Sequence, residues 1–213
     1  MNNSALALRP PTTLVVVQRP PVLLPILLAT VLSAARRRRA YVSDAICVFQ
    51  VGNASGYVTF HQNPFSFVKL HGNITRLPPG KHGFHVHEYG DLSDGCTSTG
   101  AHYNPLGRTH GGPNDRKRHV GDLGNIEADN NGTALFNMTD RLLTLNGLYS
   151  IIGRALVVHA DVDDLGRGSH KDSLTTGHSG SRIACCVIAI QPPKPKKRDR
   201  NTEKSPSKGR NEK

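Results

Sequence analysis

Gly83-Phe84-His85-Val86-His87 alternates apolar and imidazole side chains, and a period of two is the mark of a β-strand. Side chains at i and i+2 leave one face, so His85 and His87 converge while Val86 points away. Similar β-rich runs lie on either side: Ile46–Val51, Gly56–His61, Ser66–Leu70, Ala134–Met138, Ile151–Val158 and Ile183–Ile190. Asn-Gly, Pro-Pro-Gly and Gly-Gly-Pro clusters punctuate them, and no segment sustains a helical period. The reading is all-β, one sandwich or barrel, and the chain between the ends is long enough for one good core.

His85 and His87 belong to a larger set with His102, His110, His119, Asp122 and His159. Neutral imidazole is a preferred donor for copper and zinc, and a concentration of this kind points to metal rather than to scattered surface histidines. The set divides by chemistry. His102, His110, His119 and Asp122 fall in and beside a Gly/Pro-rich segment, GAHYNPLGRTHGGPNDRKRHVGD, whose length without periodicity marks it as functional or disordered. Three nitrogens and one carboxylate suit tetrahedral zinc, with no position left open. His85, His87 and His159, the last ending the apolar run Ala155-Leu156-Val157-Val158, form an all-nitrogen set that suits copper(II). His102 stands between the groups. If each of its ring nitrogens binds a metal, the imidazole loses both protons, which two cations make possible.

GFHVHEYGD, the following Cys96, HGGP, HVGDLGN, LVVHADVDDLG and GHSGSRIAC together resemble the copper/zinc superoxide dismutases, over about residues 44–191. The resemblance implies an eight-stranded Greek-key β-barrel, an immunoglobulin-like sandwich with long metal-binding and electrostatic loops. It implies one copper per subunit on His85, His87, His102 and His159, and one zinc on His102, His110, His119 and Asp122. His102 would be the bridging imidazolate. Asp163 matches the carboxylate that holds the outer nitrogens of His85 and His110. The implied reaction converts superoxide to oxygen and hydrogen peroxide by alternating reduction and reoxidation of copper. His102 would take up a proton as the bridge opens, and Arg182 would guide the anion with a charge it never loses. Thr176 matches the residue that narrows the channel.

The electrostatic loop departs from the familiar pattern. Lys171 stands where many members carry an acid and Thr175 where many carry lysine, while Asp172 keeps its acid. His170 and His178, also in this loop, read as solvated rather than metal-binding. The resemblance pairs Cys96 with Cys185, closing a loop worth about 4 kcal/mol on the chain-entropy model. Cys186 should point away from Cys96, because neighbours in a strand face opposite sides. Cys47, in Ala-Ile-Cys-Val-Phe, reads most simply as a buried free thiol. Ile152, Gly153, Val187, Ile190, Tyr89 and Gly90 match the family's homodimer contact.

The ends are different material. The chain's formal charge is +11, but residues 40–191 hold 12 Lys/Arg against 13 Asp/Glu. The excess lies in residues 1–39, which contain no acid, and in residues 192–213, with nine positive and three negative charges. The expected division is a leader over 1–39, the dismutase domain over 40–191 and a disordered basic tail over 192–213. The tail could hold a polyanion such as a glycosaminoglycan, or simply solubilise. The apolar run 21–35 fits a signal-peptide core and is too short for a comfortable membrane span. Arg36–Arg39 oppose translocation unless they form a processing site that leaves Ala40 as the terminus. Sequons at Asn53, Asn73, Asn131 and Asn137, most of them in expected turns, lean the same way. The expectation is therefore a secreted glycoprotein. The alternative is a cytoplasmic protein whose Lys196-Lys197-Arg198-Asp199-Arg200 cluster could support nuclear entry or a nucleic-acid patch. A copper chaperone on the same barrel is disfavoured, because no Met-x-Cys-x-x-Cys or Cys-x-Cys motif is present.

Overall fold

A computed structural model describes residues 41–192; the leader 1–39 and the tail beyond Pro192 lie outside the described residues. Ten strands run in the order β1 Asp44–Phe49, β2 Val51–Gly52, β3 Ser55–His61, β4 Val68–Thr75, β5 Gly80–Val86, β6 Asp122–Ala128, β7 Ala134–Asp140, β8 Ala155–His159, β9 Arg182–Val187 and β10 Ala189–Ile190. A short helix, α1, covers Ser173–Thr176. One sheet has the order β10-β1-β3-β4-β7 and the other β2-β9-β8-β5-β6, with antiparallel pairing throughout. Eight strands have five or more residues; β2 and β10 are two-residue edge pieces. The expected all-β sandwich is what forms.

Alternation builds the core. In β4 the pattern Val68, Leu70, Gly72 and Ile74 turns inward while Lys69 and His71 face solvent. With Val58, Phe60, Phe84, Val86, Leu156, Val158 and Ile188, these residues fill the space between the sheets. β8 is buried at all five positions. Its outer face is covered by a second, smaller cluster of Cys96, Ala155, Val157 and Cys185, with Val51 and Leu92 packed beside it. The loop carrying Cys96 is therefore pressed against the strand that ends in His159.

The expected Cys96–Cys185 bridge forms. Cys47 is not a free thiol: it is bonded to Cys186, 5.5 Å away between Cα atoms, and no free cysteine remains among the described residues. The reason is the strand rule applied once more. Cys185 and Cys186 leave opposite faces of β9, so one meets the outer loop and the other meets β1 across the sandwich. One sequon also differs from expectation. Asn53 and Asn131 are exposed in turns and Asn137 lies in β7, within the expected strand, but Asn73 lies within β4, and its amide oxygen is buried without a partner.

Candidate metal centre

β5 carries His85 beside its last residue, Val86, and His87 follows directly. Its register against β6 shifts between Gly83 and His85, and that of β8 against β9 shifts between Val158 and His159. Such irregularities re-aim side chains where a regular ladder would not. His87 leaves β5 and pairs through an isolated bridge with His102. The result is a buried cluster in which single donor atoms of His85, His87, His102 and His159 lie within 4.8 Å of one another. The same holds for His85, His102, His110 and Asp122.

The outer nitrogens of the first group are already occupied. His87 Nδ1 lies 2.9 Å from Gly100 O, His159 Nδ1 3.2 Å from Gly180 O, and His85 Nε2 2.9 Å from Asp163 Oδ2. Backbone carbonyls accept only, so they place the proton of His87 and His159 on Nδ1 and leave each Nε2 with a free lone pair. Those two Nε2 atoms are 3.3 Å apart. The inner nitrogens His85 Nδ1 and His102 Nε2 are buried without any hydrogen-bond partner. Burial, with His102 adding to it, pushes His85 and His87 well below the ordinary imidazole range, and burial also lowers His102. His159 is brought down to about 4, again chiefly by burial. All four are neutral at pH 7 and ready to ligate.

The second group is built around one carboxylate oxygen. Asp122 Oδ1 lies 3.0 Å from His102 Nδ1, 3.0 Å from His110 Nδ1 and 3.1 Å from His119 Nδ1. His110 Nδ1 has no hydrogen-bond geometry at that distance. The edges of a tetrahedral zinc site are about 3.3 Å for metal–ligand bonds of 2.0–2.1 Å, close to these separations. The other Asp122 oxygen accepts from Gly111 N at 3.1 Å and His119 N at 2.8 Å, fixing the carboxylate. Asp163 joins the halves, its second oxygen lying 2.8 Å from His110 Nε2. Burial opposes a charge on His110, but Asp122 and Asp163 outweigh it and raise the ring to about 9. Asp122 and Asp163 are held below the usual carboxylate range: burial pushes the other way, and the histidines around them prevail.

Arg182 is half-buried, and its guanidinium is clamped. Nη1 donates to Cys96 O at 2.7 Å, Thr97 O at 3.0 Å and Thr99 Oγ1 at 3.0 Å, and Nη2 to Gly100 O at 2.6 Å. Gly100 O thus joins Arg182 to His87. Thr99 is fully buried, donates to Cys96 O at 2.8 Å and lies 3.3 Å from His87 Nδ1. Sequence reasoning passed over Thr99 and the two carbonyls. A carbonyl has no sequence signature, and only the position of Thr99 between Cys96 and His102 offered a hint. Thr176 sits in α1 with its hydroxyl 3.1 Å from Asp172 Oδ2 rather than on a ligand histidine. His178 Nδ1 is 2.8 Å from Asp172 Oδ1, and its ring stacks on His170 at 3.6 Å, both exposed and outside the two ligand groups.

Comparison with known proteins agrees. Residues 54–188 match the model of the copper/zinc superoxide dismutase family. The chain is 52% identical over 147 residues to superoxide dismutase (Cu-Zn) 5 of Dictyostelium discoideum, covering 68% of this chain and 97% of that protein. It is also 52% identical over 139 residues to superoxide dismutase (Cu-Zn) 3 of Arabidopsis thaliana, covering 65% and 85%. The crystal structure of the clock protein EA4 superposes with a TM-score of 0.70 at 47% identity, covering 73% of this chain and 99% of that one. On that family match and that identity, the chain belongs to the copper/zinc superoxide dismutases.

Proposed function

We propose that His85, His87, His102 and His159 hold the copper of this dismutase and that His102, His110, His119 and Asp122 hold its zinc. The observation that carries the assignment is the set of buried, unpartnered inner nitrogens, His85 Nδ1, His102 Nε2 and His110 Nδ1, whereas buried His82 outside the cluster has both ring nitrogens on backbone carbonyls. Leaving such atoms unpaired is costly unless something binds them, and a metal on each side does so. Copper supplies the one-electron redox chemistry that turns superoxide into oxygen and hydrogen peroxide. The protein's part is positional. Asp163 orients the rings of His85 and His110 together, and the Gly100 and Gly180 carbonyls fix the tautomers of His87 and His159. His102 would serve both groups, with Nε2 unpartnered among the copper histidines and Nδ1 beside Asp122, and its Nε2 is the atom that could hold a proton. Arg182, held by three carbonyls and a hydroxyl, keeps a fixed positive charge beside His87 for an incoming anion. Thr176 and Asp172 shape the loop over the site.

The assembly and setting form part of the same proposal. Val48, Tyr89 and Ile190 are exposed at 46%, 53% and 61%, and they join half-buried Ile46, Ile152 and Val187 as an apolar face suited to a homodimer. The Gly90 and Gly153 backbones meet there so closely that a Cβ on Gly90 would strike Gly153 O. The acid-free leader and the sequons support a secreted glycoprotein, and the charge of residues 192–213 supports a polyanion such as a glycosaminoglycan as partner. No helix of the described residues is long and apolar enough to cross a membrane.

The test is superoxide dismutation by the metal-loaded protein beside His87→Ala and Arg182→Ala, with copper and zinc counted per chain. The expected result is one of each metal, activity lost with copper in His87→Ala, and activity reduced with full metal in Arg182→Ala. Full metal and full activity in His87→Ala would refute the ligand assignment.

A further inference from the structure

One end of the barrel carries surface that neither the metal centre nor the dimer face uses. Register places the start of β1 beside the end of β3, Asp44 opposite His61, and the start of β4 beside the end of β7, Val68 opposite Asp140. The segments 41–43, 62–67 and 141–150 therefore share that end, and side chains tie them together. Tyr41 Oη donates to Gln62 O, Leu145 N donates to Gln62 Oε1, and Val42 N donates to Asn146 Oδ1. On this common platform stand Phe65 at 109% exposure, Leu148 at 86%, Phe67 at 53%, Tyr41 and Tyr149.

Phe65 is the unusual one. It follows Pro64 in a turn closed by Ser66 N donating to Asn63 O at 3.1 Å, and its φ is +62°. That third position of a Pro-started turn favours glycine or asparagine, because a side chain there is strained. The turn is nonetheless well tied, with Gln62 Nε2 and Asn63 N bonded to Ser66. A large apolar ring is thus held rigidly outward at a position that disfavours it.

The charges around it have one sign. Lys69 and Arg141 are exposed, with the Arg141 guanidinium 5.8 Å over the Phe67 ring. The only acids in these segments and their adjoining strand ends, Asp44 and Asp140, are buried; Asp44 faces His61, and Asp140 is paired with Arg118. Protruding aromatic and aliphatic tips, two tyrosines at their margin and cations without exposed acids match the interface of a bilayer bearing negative headgroups. A protein partner ordinarily offers packed pockets for its anchors, whereas a projecting apex needs a surface that deforms around it.

We propose that this barrel end docks peripherally on an anionic phospholipid bilayer, with Phe65 entering the interface and Lys69 and Arg141 meeting the headgroups. The chain contains no tryptophan, so Phe65→Trp gives a single reporter in the full-length, metal-loaded protein. Its emission should shift to the blue with phosphatidylcholine/phosphatidylserine vesicles and be quenched by brominated lipid, with little change on phosphatidylcholine alone. Phe65→Ser/Phe67→Ser should weaken co-sedimentation with the anionic vesicles by about tenfold or more while dismutation in solution is unchanged. Phe65→Gly separates docking from folding, since it should keep or raise the melting temperature while losing vesicle affinity. Vesicle binding with an unshifted tryptophan would mean that the leader or the basic tail binds instead of this end, and would overturn the proposal. A blue shift that grows with protein concentration and needs no lipid would assign this end to a second copy instead, and would overturn it equally.

Discussion

The two halves of the metal centre are held by different kinds of structure. His85, His87 and His159 stand at the ends of β5 and β8, their outer nitrogens set by carbonyls and by Asp163. His110 and His119 stand on a loop whose order comes from Asp122, on which three imidazoles converge. The first half is organised by the barrel; the second is organised by charge. Asp122→Asn should give the largest effect. It removes the hub of a buried charged cluster, and a loss of about 3–5 kcal/mol is expected. Thermal unfolding with metal analysis would check this: zinc should be lost, and copper should be retained at weakened affinity. Equal loss of both metals would show that the halves are not separable.

Asp163 is where the halves meet, with one oxygen on His85 and the other on His110. Asp163→Asn keeps the shape but can accept through only one atom, so one ring loses its orienting partner. Replacing an outer hydrogen-bond partner of a ligand typically costs 10–100-fold in metal affinity, and both metals should show it here. Competition with a chelator would measure each constant. An effect confined to zinc would make Asp163 a member of the charge-organised half alone.

Acid and base should act on the halves differently in the metal-free protein. His85, His87, His102 and His159 have lowered values when folded, so the unfolded chain binds more protons just below the ordinary imidazole value. Stability should therefore fall as pH drops from about 6.5 towards 4. His110 is raised to about 9, so its contribution is complete below about 6.5 and is lost as pH rises through 9. Chemical denaturation across pH should show an optimum near neutrality with a steeper acid side, four groups opposing one. Loading both metals should flatten the alkaline side. A monotonic rise with pH would contradict the raised His110.

Legibility in the sequence followed the same division. Alternating strands such as Ala134–Asp140 and the apolar β8 declared themselves by period, and the ligands by residue type. β6, Asp-Leu-Gly-Asn-Ile-Glu-Ala, did not, since its residues are poor strand formers and Gly124 takes φ +76°. Its place depends on pairing with β5, a long-range contact that no local pattern encodes. Cys47 was misread for a related reason. Its own segment reads as ordinary core, and only the packing of β1 against β9 brings Cys186 to it. Asp163 is legible through resemblance, whereas the carbonyls of Gly100 and Gly180 and the hydroxyl of Thr99 are placed by the fold alone.

Thr99 offers the smallest and most discriminating break in the comparison, because it belongs to the barrel-organised half yet to neither donor group. Its buried hydroxyl links the Cys96 carbonyl, the Arg182 guanidinium and the edge of His87. Thr99→Val keeps the shape and removes the hydroxyl. Arg182 retains its bonds to Cys96, Thr97 and Gly100, so the clamp should loosen rather than fail, at about 1 kcal/mol. Metal content and fold should be unchanged, while dismutation falls severalfold and its dependence on ionic strength weakens, because a mobile cation steers less well. If activity instead falls with copper content, Thr99 supports the His87 ligand and not the guiding charge. The salt dependence separates the two, since a misplaced ligand slows turnover equally at low and high ionic strength.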